Sequence, residues 1–223
     1  MSVSQITAIV IVAVASYLFG SLNSAIIVCS VVKHDDIRKY GSKNAGLTNV
    51  LRVYGKGLAL ATLLCDLFKG VAAVAASRII VGSVLEIEFF SDKLLIGYIA
   101  GLFVVLGHVF PIFYGFKGGK GVLTSCTTML ALDPISMSLA LLTFILVVAF
   151  TKYVSLGSVL GAIVNAVLTF VFGALLKIPG FWLNGLIATL VSAIVIIKHK
   201  SNIIRLINKS ENKLSFKGGG HNG

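Results

Sequence analysis

Three polar segments stand out in this chain, and each carries groups suited to binding an anion. The first runs Gly41-Ser42-Lys43-Asn44-Ala45-Gly46-Leu47-Thr48-Asn49-Val50-Leu51-Arg52. Glycines let backbone approach a ligand closely. Exposed N–H groups, the hydroxyls of Ser42 and Thr48 and the amides of Asn44 and Asn49 can then cradle an anion around Gly46, with Arg52 clamping it bidentately. The same pattern also suits a polar interfacial loop with helix caps. The second segment is Phe116-Lys117-Gly118-Gly119-Lys120-Gly121-Val122. A glycine-rich turn entering a helix N-terminus is a ready phosphate site. No Ser or Thr follows Lys120 and the four-residue spacer is missing, so this is not a Walker A loop. The third is Lys198-His199-Lys200-Ser201-Asn202, followed by Arg205 and Glu211. His199 and Asn202 share a helix face if the helix continues; a basic tail against anionic lipid is the competing reading.

Smaller features accompany these. Asp66 and Lys69 are spaced i, i+3 within an apolar run, as an intramembrane ion pair or the edge of a site. His108 precedes Pro111 and reads better as a structural histidine than a catalytic one. Ser21, Asn23 and Ser24 place polar groups in the first apolar run, suited to helix–helix hydrogen bonding. Lys152, Tyr153, Ser155 and Ser158 form a small polar turn. Cys29, Cys65 and Cys126 are scattered in apolar sequence and form no CxxC, which fits small buried hydrophobes.

The elements that must position these residues are membrane helices. Of the 223 residues, 57% are hydrophobic and only 12% charged, against about 25% charged in a soluble domain. Mean hydropathy near +1 argues against nucleic-acid binding as the meaning of a net charge of +11. Apolar runs fall at about 5–32, 57–82, 94–115, 121–132, 135–150, 155–176 and 180–197. No Lys or Arg precedes the first run, so it reads as a retained span and not as a secretory signal. Asp133-Pro134 would break a single helix over 121–150, so a turn is expected there.

Charge asymmetry orients the runs. Loop 33–56 and the tail from 198 are strongly basic, whereas loop 83–93 carries Glu86, Glu88 and Asp92. With seven spans the basic segments share one side, so the expectation is an all-α polytopic protein of about seven transmembrane helices, N-terminus outside and C-terminus cytoplasmic. The short fourth span can be tilted or partly re-entrant. No internal repeat and no separate domain is evident. Residues 1–223 read as one membrane-embedded domain, with a flexible, glycine-ended tail from about 214.

Taken in order, GSKNAGLTNVLR, CDLFKG, GHVFPIFYGFKGGKGV and KHKSNIIRL…SEN resemble the bacterial acyl-phosphate:glycerol-3-phosphate acyltransferases, the PlsY family, from about Gly20 to Glu211. The resemblance implies a seven-span inner-membrane enzyme with its active site facing the cytoplasm. It implies transfer of a fatty acyl group from acyl phosphate to the 1-hydroxyl of glycerol 3-phosphate, giving lysophosphatidic acid and phosphate. It implies no cofactor and no metal, with membrane lipids as surroundings. The His-x4-Asp motif of other glycerophosphate acyltransferases is absent here.

On this resemblance Ser42, Arg52, Lys120, His199 and Asn202 carry the chemistry. Asn44, Gly46, Thr48, Asn49, Lys117, Gly118, Gly119, Gly121, Asp66, Lys69 and Glu211 bind substrate. Glycerol 3-phosphate would sit on the glycine–lysine loop and the acyl-phosphate head on the first loop. His199 and Asn202 would orient the hydroxyl and polarise the carbonyl. Acyl phosphate is already activated, so no covalent acyl-enzyme is expected. Lys43, where typical members have glycine, adds a cation to the first loop. The reading from another class is an anion transporter, which would use basic loops too. It calls for polar groups through the bilayer depth in repeated halves, and this chain clusters them on one face.

Overall fold

The computed structural model describes residues 2–85, 87 and 94–214. Among these, helices account for all the regular structure. The acidic loop residues Glu86, Glu88 and Asp92, and the tail beyond 214, lie outside the described residues.

The helices are α1 (Val3–Ser21), α2 (Ser24–Lys33), α3 (Leu47–Tyr54), α4 (Lys56–Ser77), α5 (Leu95–Val109), α6 (Val122–Leu132), α7 (Pro134–Thr151), α8 (Val154–Leu175), α9 (Phe181–Lys198) and α10 (Lys200–Ile207). Among the described residues six segments are long and apolar enough to cross a membrane, with α1 and α2 counted as one. The seventh expected segment, α6, has 11 residues. At about 1.5 Å per residue it reaches roughly 16 Å, about half a hydrocarbon core.

The first apolar run is not one straight helix. It breaks at Leu22-Asn23, where the Asn23 side chain caps α2 by accepting from the Ile26 N–H at 3.1 Å. The Asp133-Pro134 turn forms as the sequence predicts. Asp133 Oδ1 accepts from the Ser136 N–H at 3.1 Å, and Pro134 fills the first helical position, where no N–H is needed.

Packing is inverted relative to a soluble protein. Phe68, Leu64, Phe150, Leu175 and Trp182 face outward, while Asp66, Lys69, His108, Asn165 and Thr128 are buried. Lipid solvates the outer face, so polar groups gather where other helices can satisfy them. α7, α8 and α9 pack side by side, and α4, α5 and α6 form a second cluster with α1 against α5. An apolar core of Val105, Val109, Met129, Met137, Ala188 and Val191 joins the two groups.

Candidate active site

The three polar segments, separated by up to about 160 residues in sequence, meet at the mouth of one cavity of ≈ 1520 Å³. Its mouth is cationic and its deeper limb apolar.

Asn49 shapes the first wall. Its Oδ1 accepts from the Ser42 N–H at 2.9 Å, and its Nδ2 donates to the carbonyls of Tyr40 and Asn44 at 3.0 and 3.1 Å. Gly41 has φ +57°, and any Cβ there would meet Asn49 Oδ1, so only glycine lets the loop fold around that amide. Asn49 is 1% exposed with its amide spent inside the loop. It therefore holds the loop's shape from within the cavity lining. Ser42, Asn44, Thr48 and Arg52 remain at the cavity lining. Gly46 starts α3 with no side-chain cap, so first-turn N–H groups stay available. The Arg52 guanidinium makes no ion pair or hydrogen bond among the described residues, so it is free to bind an anion.

The second wall departs from the sequence reading. The Gly118 and Gly119 N–H groups donate to the carbonyls of Val109 and His108 at 3.3 and 3.1 Å. These glycines therefore press the loop onto the end of α5 and do not offer a phosphate cradle. Gly119 is buried, and a Cβ on it would lie 2.2 Å from His108 Nε2 and 2.7 Å from the Ala45 carbonyl oxygen. What reaches the cavity is Lys117, Gly118, Lys120 and Gly121, the last with φ +79° at the uncapped N-terminus of α6.

Beneath Gly119 lies a buried polar cluster. Lys69 Nζ sits 2.8 Å from Asp66 Oδ1 and 2.9 Å from His108 Nδ1, and Ser24 Oγ donates to the same carboxylate oxygen at 2.8 Å. Asp66 and Lys69 are thus committed to each other and to His108, and Lys69 does not line the cavity. Asp66 does reach the cavity lining, and the cluster props the loop above it. An ion pair at that depth has partners that would be left as buried charges without it. His108 belongs to this cluster and also lines the cavity.

The third wall is a chain of hydrogen bonds. Lys120 Nζ donates to Asn202 Oδ1 at 2.5 Å, and Asn202 Nδ2 donates to Glu211 Oε1 at 2.6 Å. Ser155 Oγ donates to the same oxygen at 2.9 Å, and Arg205 Nε donates to Glu211 Oε2 at 2.7 Å. Both carboxylate oxygens are occupied, and a carboxylate repels phosphate. Glu211 therefore aims Asn202 and Arg205 from its own place in the cavity lining. Burial opposes its charge, but the bonds from Asn202, Arg205 and Ser155 hold its pKa below the usual value. Arg205, Lys198 and Ser155 also line the cavity, beyond the residues expected there; the signal for Arg205 and Lys198 was the basic run, which a lipid-binding tail explains equally well, and for Ser155 the small polar turn at 152–158.

Electrostatics at the mouth favours a dianion. Burial pushes Lys120 down to about 8, Glu211 holds it up, and Arg205, Arg52 and Lys198 push it further down. Several cations thus face one carboxylate. Burial also drives His199 down to about 4. The ring is therefore neutral at physiological pH. Its Nδ1 lies 2.8 Å from the Val195 carbonyl oxygen; since a carbonyl only accepts, Nδ1 carries the proton and Nε2 is an acceptor.

Comparison with known proteins agrees with this architecture. A family model described as glycerol-3-phosphate acyltransferase matches residues 10–209. The chain belongs to the glycerol-3-phosphate acyltransferase family. It is 44% identical over 217 residues to the glycerol-3-phosphate acyltransferase of Clostridioides difficile, covering 96% of this chain and 98% of that one. The enzyme of Finegoldia magna is 41% identical over 206 residues, covering 92% and 96%. Among solved structures, PlsY, an integral membrane glycerol 3-phosphate acyltransferase, superposes in its glycerol 3-phosphate form with a TM-score of 0.77 at 30% identity, covering 93% of this chain and 96% of that one. Its lysophosphatidic acid form gives 0.75 at 29% identity. Membership in this acyltransferase family sets the transporter reading aside.

Proposed function

We propose that the whole chain is one membrane-embedded catalytic unit that takes its acyl group from a fatty acyl phosphate, with the cationic mouth facing the cytoplasm across the bacterial inner membrane. The acyl group passes to the 1-hydroxyl of glycerol 3-phosphate, giving lysophosphatidic acid and inorganic phosphate. The observation that carries this reading is a single cavity with a cationic mouth and an apolar limb. Phosphates on both substrates fit the mouth, and an acyl chain fits the limb lined by Ala140, Leu141, Phe144 and Val191. A PlsY structure is described as the lysophosphatidic acid form, which supports that molecule as the product here.

The glycerol hydroxyl oxygen attacks the carbonyl carbon, and the bond from that carbon to the phosphate oxygen breaks. Lys120, Arg52 and Arg205 offset the charge gathering on the departing phosphate. Neutral His199 can accept a hydrogen bond from the attacking hydroxyl through Nε2, and the leaving phosphate takes up the proton. Holding both phosphates in place supplies much of the acceleration, because the donor is already activated.

The test is phosphate release from palmitoyl phosphate by the purified protein, with and without glycerol 3-phosphate. Release that requires glycerol 3-phosphate, yields lysophosphatidic acid and collapses in Arg52→Ala and Lys120→Ala is expected. Activity with an acyl thioester but none with palmitoyl phosphate would refute the donor assignment.

A further inference from the structure

Beside the catalytic mouth lies a second, outer cavity of ≈ 660 Å³. Arg38, Lys43 and Lys117 line it together with Phe113 and Tyr114, and no acidic residue among the described ones does. Lys43, Lys117 and Gly118 also line the catalytic cavity, so the two cavities meet across these residues. The outer wall is built by Arg38. Its Nη1 donates to the carbonyl oxygens of Tyr114 and Lys117 at 2.8 and 3.1 Å, and its Nη2 lies 2.6 Å from Asp36 Oδ2. Arg38 thereby latches the glycine–lysine loop to the segment before the first polar loop, and Asp36 offsets its charge.

Lys43 and Lys117 are placed differently. Both are exposed, and neither ammonium group has a hydrogen bond or ion pair among the described residues. The neighbouring carboxylates are already taken, Asp35 by Lys39 and Tyr40 and Asp36 by Arg38. Two free cations therefore flank the passage between the cavities. An ammonium on a flexible stem is a point charge with three donors, suited to holding a phosphate and letting it go. Arg52 and Lys120 line the inner cavity, so an anion leaving the two lysines meets further cations inward.

We propose that the outer cavity is an entry site for a phosphomonoester dianion, which Lys43 and Lys117 hold and pass into the catalytic cavity. Two substrates carry that group, glycerol 3-phosphate arriving from water and the acyl phosphate arriving from the bilayer. This inference rests on the reading above that both phosphates react in the inner cavity.

Lys43 allows a decisive substitution. Its φ is +58°, which glycine adopts freely, so Lys43→Gly removes the cation without straining the loop. The experiment measures kcat/KM for glycerol 3-phosphate and for palmitoyl phosphate with the purified full chain. It is run at about 0.01 M and about 1 M salt, where charges act over roughly 30 Å and 3 Å. At low salt Lys43→Gly should lower kcat/KM roughly fivefold, the effect of one exposed cation beside a phosphate charge. The loss should lie in KM and not in kcat, Lys43→Arg should restore the unaltered value, and high salt should close the gap to within about twofold. A fall for glycerol 3-phosphate identifies the soluble substrate as the occupant, and a fall for palmitoyl phosphate identifies the lipid's head. Unchanged values for both substrates in Lys43→Gly overturn the proposal. An equal fall in Lys33→Gln, which removes a lysine lining neither cavity, overturns it too. Absence of turnover with palmitoyl phosphate in the unaltered chain would refute the donor reading instead. Binding of inorganic phosphate at low salt then decides the entry site: weaker binding in Lys43→Gly supports it, and equal binding overturns it.

Discussion

Replacing Gly119 by alanine isolates what the buried cluster does for the site. The new Cβ would sit 2.2 Å from His108 Nε2 and 2.7 Å from the Ala45 carbonyl oxygen. Ordinary contact distances are near 3.5 Å, so something must move by about 1 Å. The histidine cannot recoil easily, because its other nitrogen is 2.9 Å from Lys69 Nζ in the buried ion cluster. Breaking such a cluster costs more than shifting a loop. The loop should therefore move and carry the adjacent Lys120 with it, lengthening its 2.5 Å bond to Asn202. A displacement of about 1 Å at a positioning group can cost about 100-fold in rate, and overpacking costs about 1–3 kcal/mol of stability. The control is Gly57→Ala in α4, where no atom lies within 4 Å of the added carbon. That change should leave activity intact and stabilise the helix by up to about 1 kcal/mol. Acyltransfer kinetics and thermal unfolding of both variants in the same detergent supply the comparison. Near-normal kcat and unfolding temperature in Gly119→Ala would refute the view that the glycine loop is clamped on His108.

Three further outcomes are expected. Because Lys120 is held at about 8, it is a cation below that pH and loses its charge above it. The kcat/KM for glycerol 3-phosphate should then fall as pH rises through about 8, and Lys120→Arg should move that limb beyond the measured range. Glu211→Gln removes the anion that holds Lys120 up and weakens the hold on Arg205. We expect a roughly 10–100-fold loss of kcat/KM and an alkaline limb displaced to lower pH; a limb that stays in place would exclude the Lys120–Glu211 coupling. His199→Ala removes the neutral acceptor, and kcat should drop by about 100-fold or more. Titration of the His199 ring by NMR should find its midpoint well below that of a solvated histidine, as burial demands.

How far each feature was legible depends on its range. Hydropathy is a local property of a segment, so the all-helical membrane class, the positions of the apolar helices and the Asp133-Pro134 turn follow from the residue string. The grouping of basic segments also followed, since charge bias acts on whole loops. The break at Asn23 was less visible. An asparagine within an apolar run reads equally as a helix–helix contact or as a cap, and only the Ile26 N–H decides between them.

Roles within the site needed the tertiary structure. Composition marks Asn49, Gly119, Asp66, Lys69 and Glu211 as polar or flexible groups among binding loops. It does not reveal which of their atoms are already spent. Asn49 is consumed by its own loop, Gly119 is pressed against His108, and Asp66 and Lys69 satisfy each other across one helical turn. Glu211 is held by its bonds to Asn202, Ser155 and Arg205. The sequence by itself determined that this chain is a membrane protein with basic, glycine-rich loops, because hydrophobicity and charge act segment by segment. Only the tertiary structure decided which polar atoms remain free for a substrate, because a hydrogen bond depends on partners that the fold brings together from distant parts of the chain.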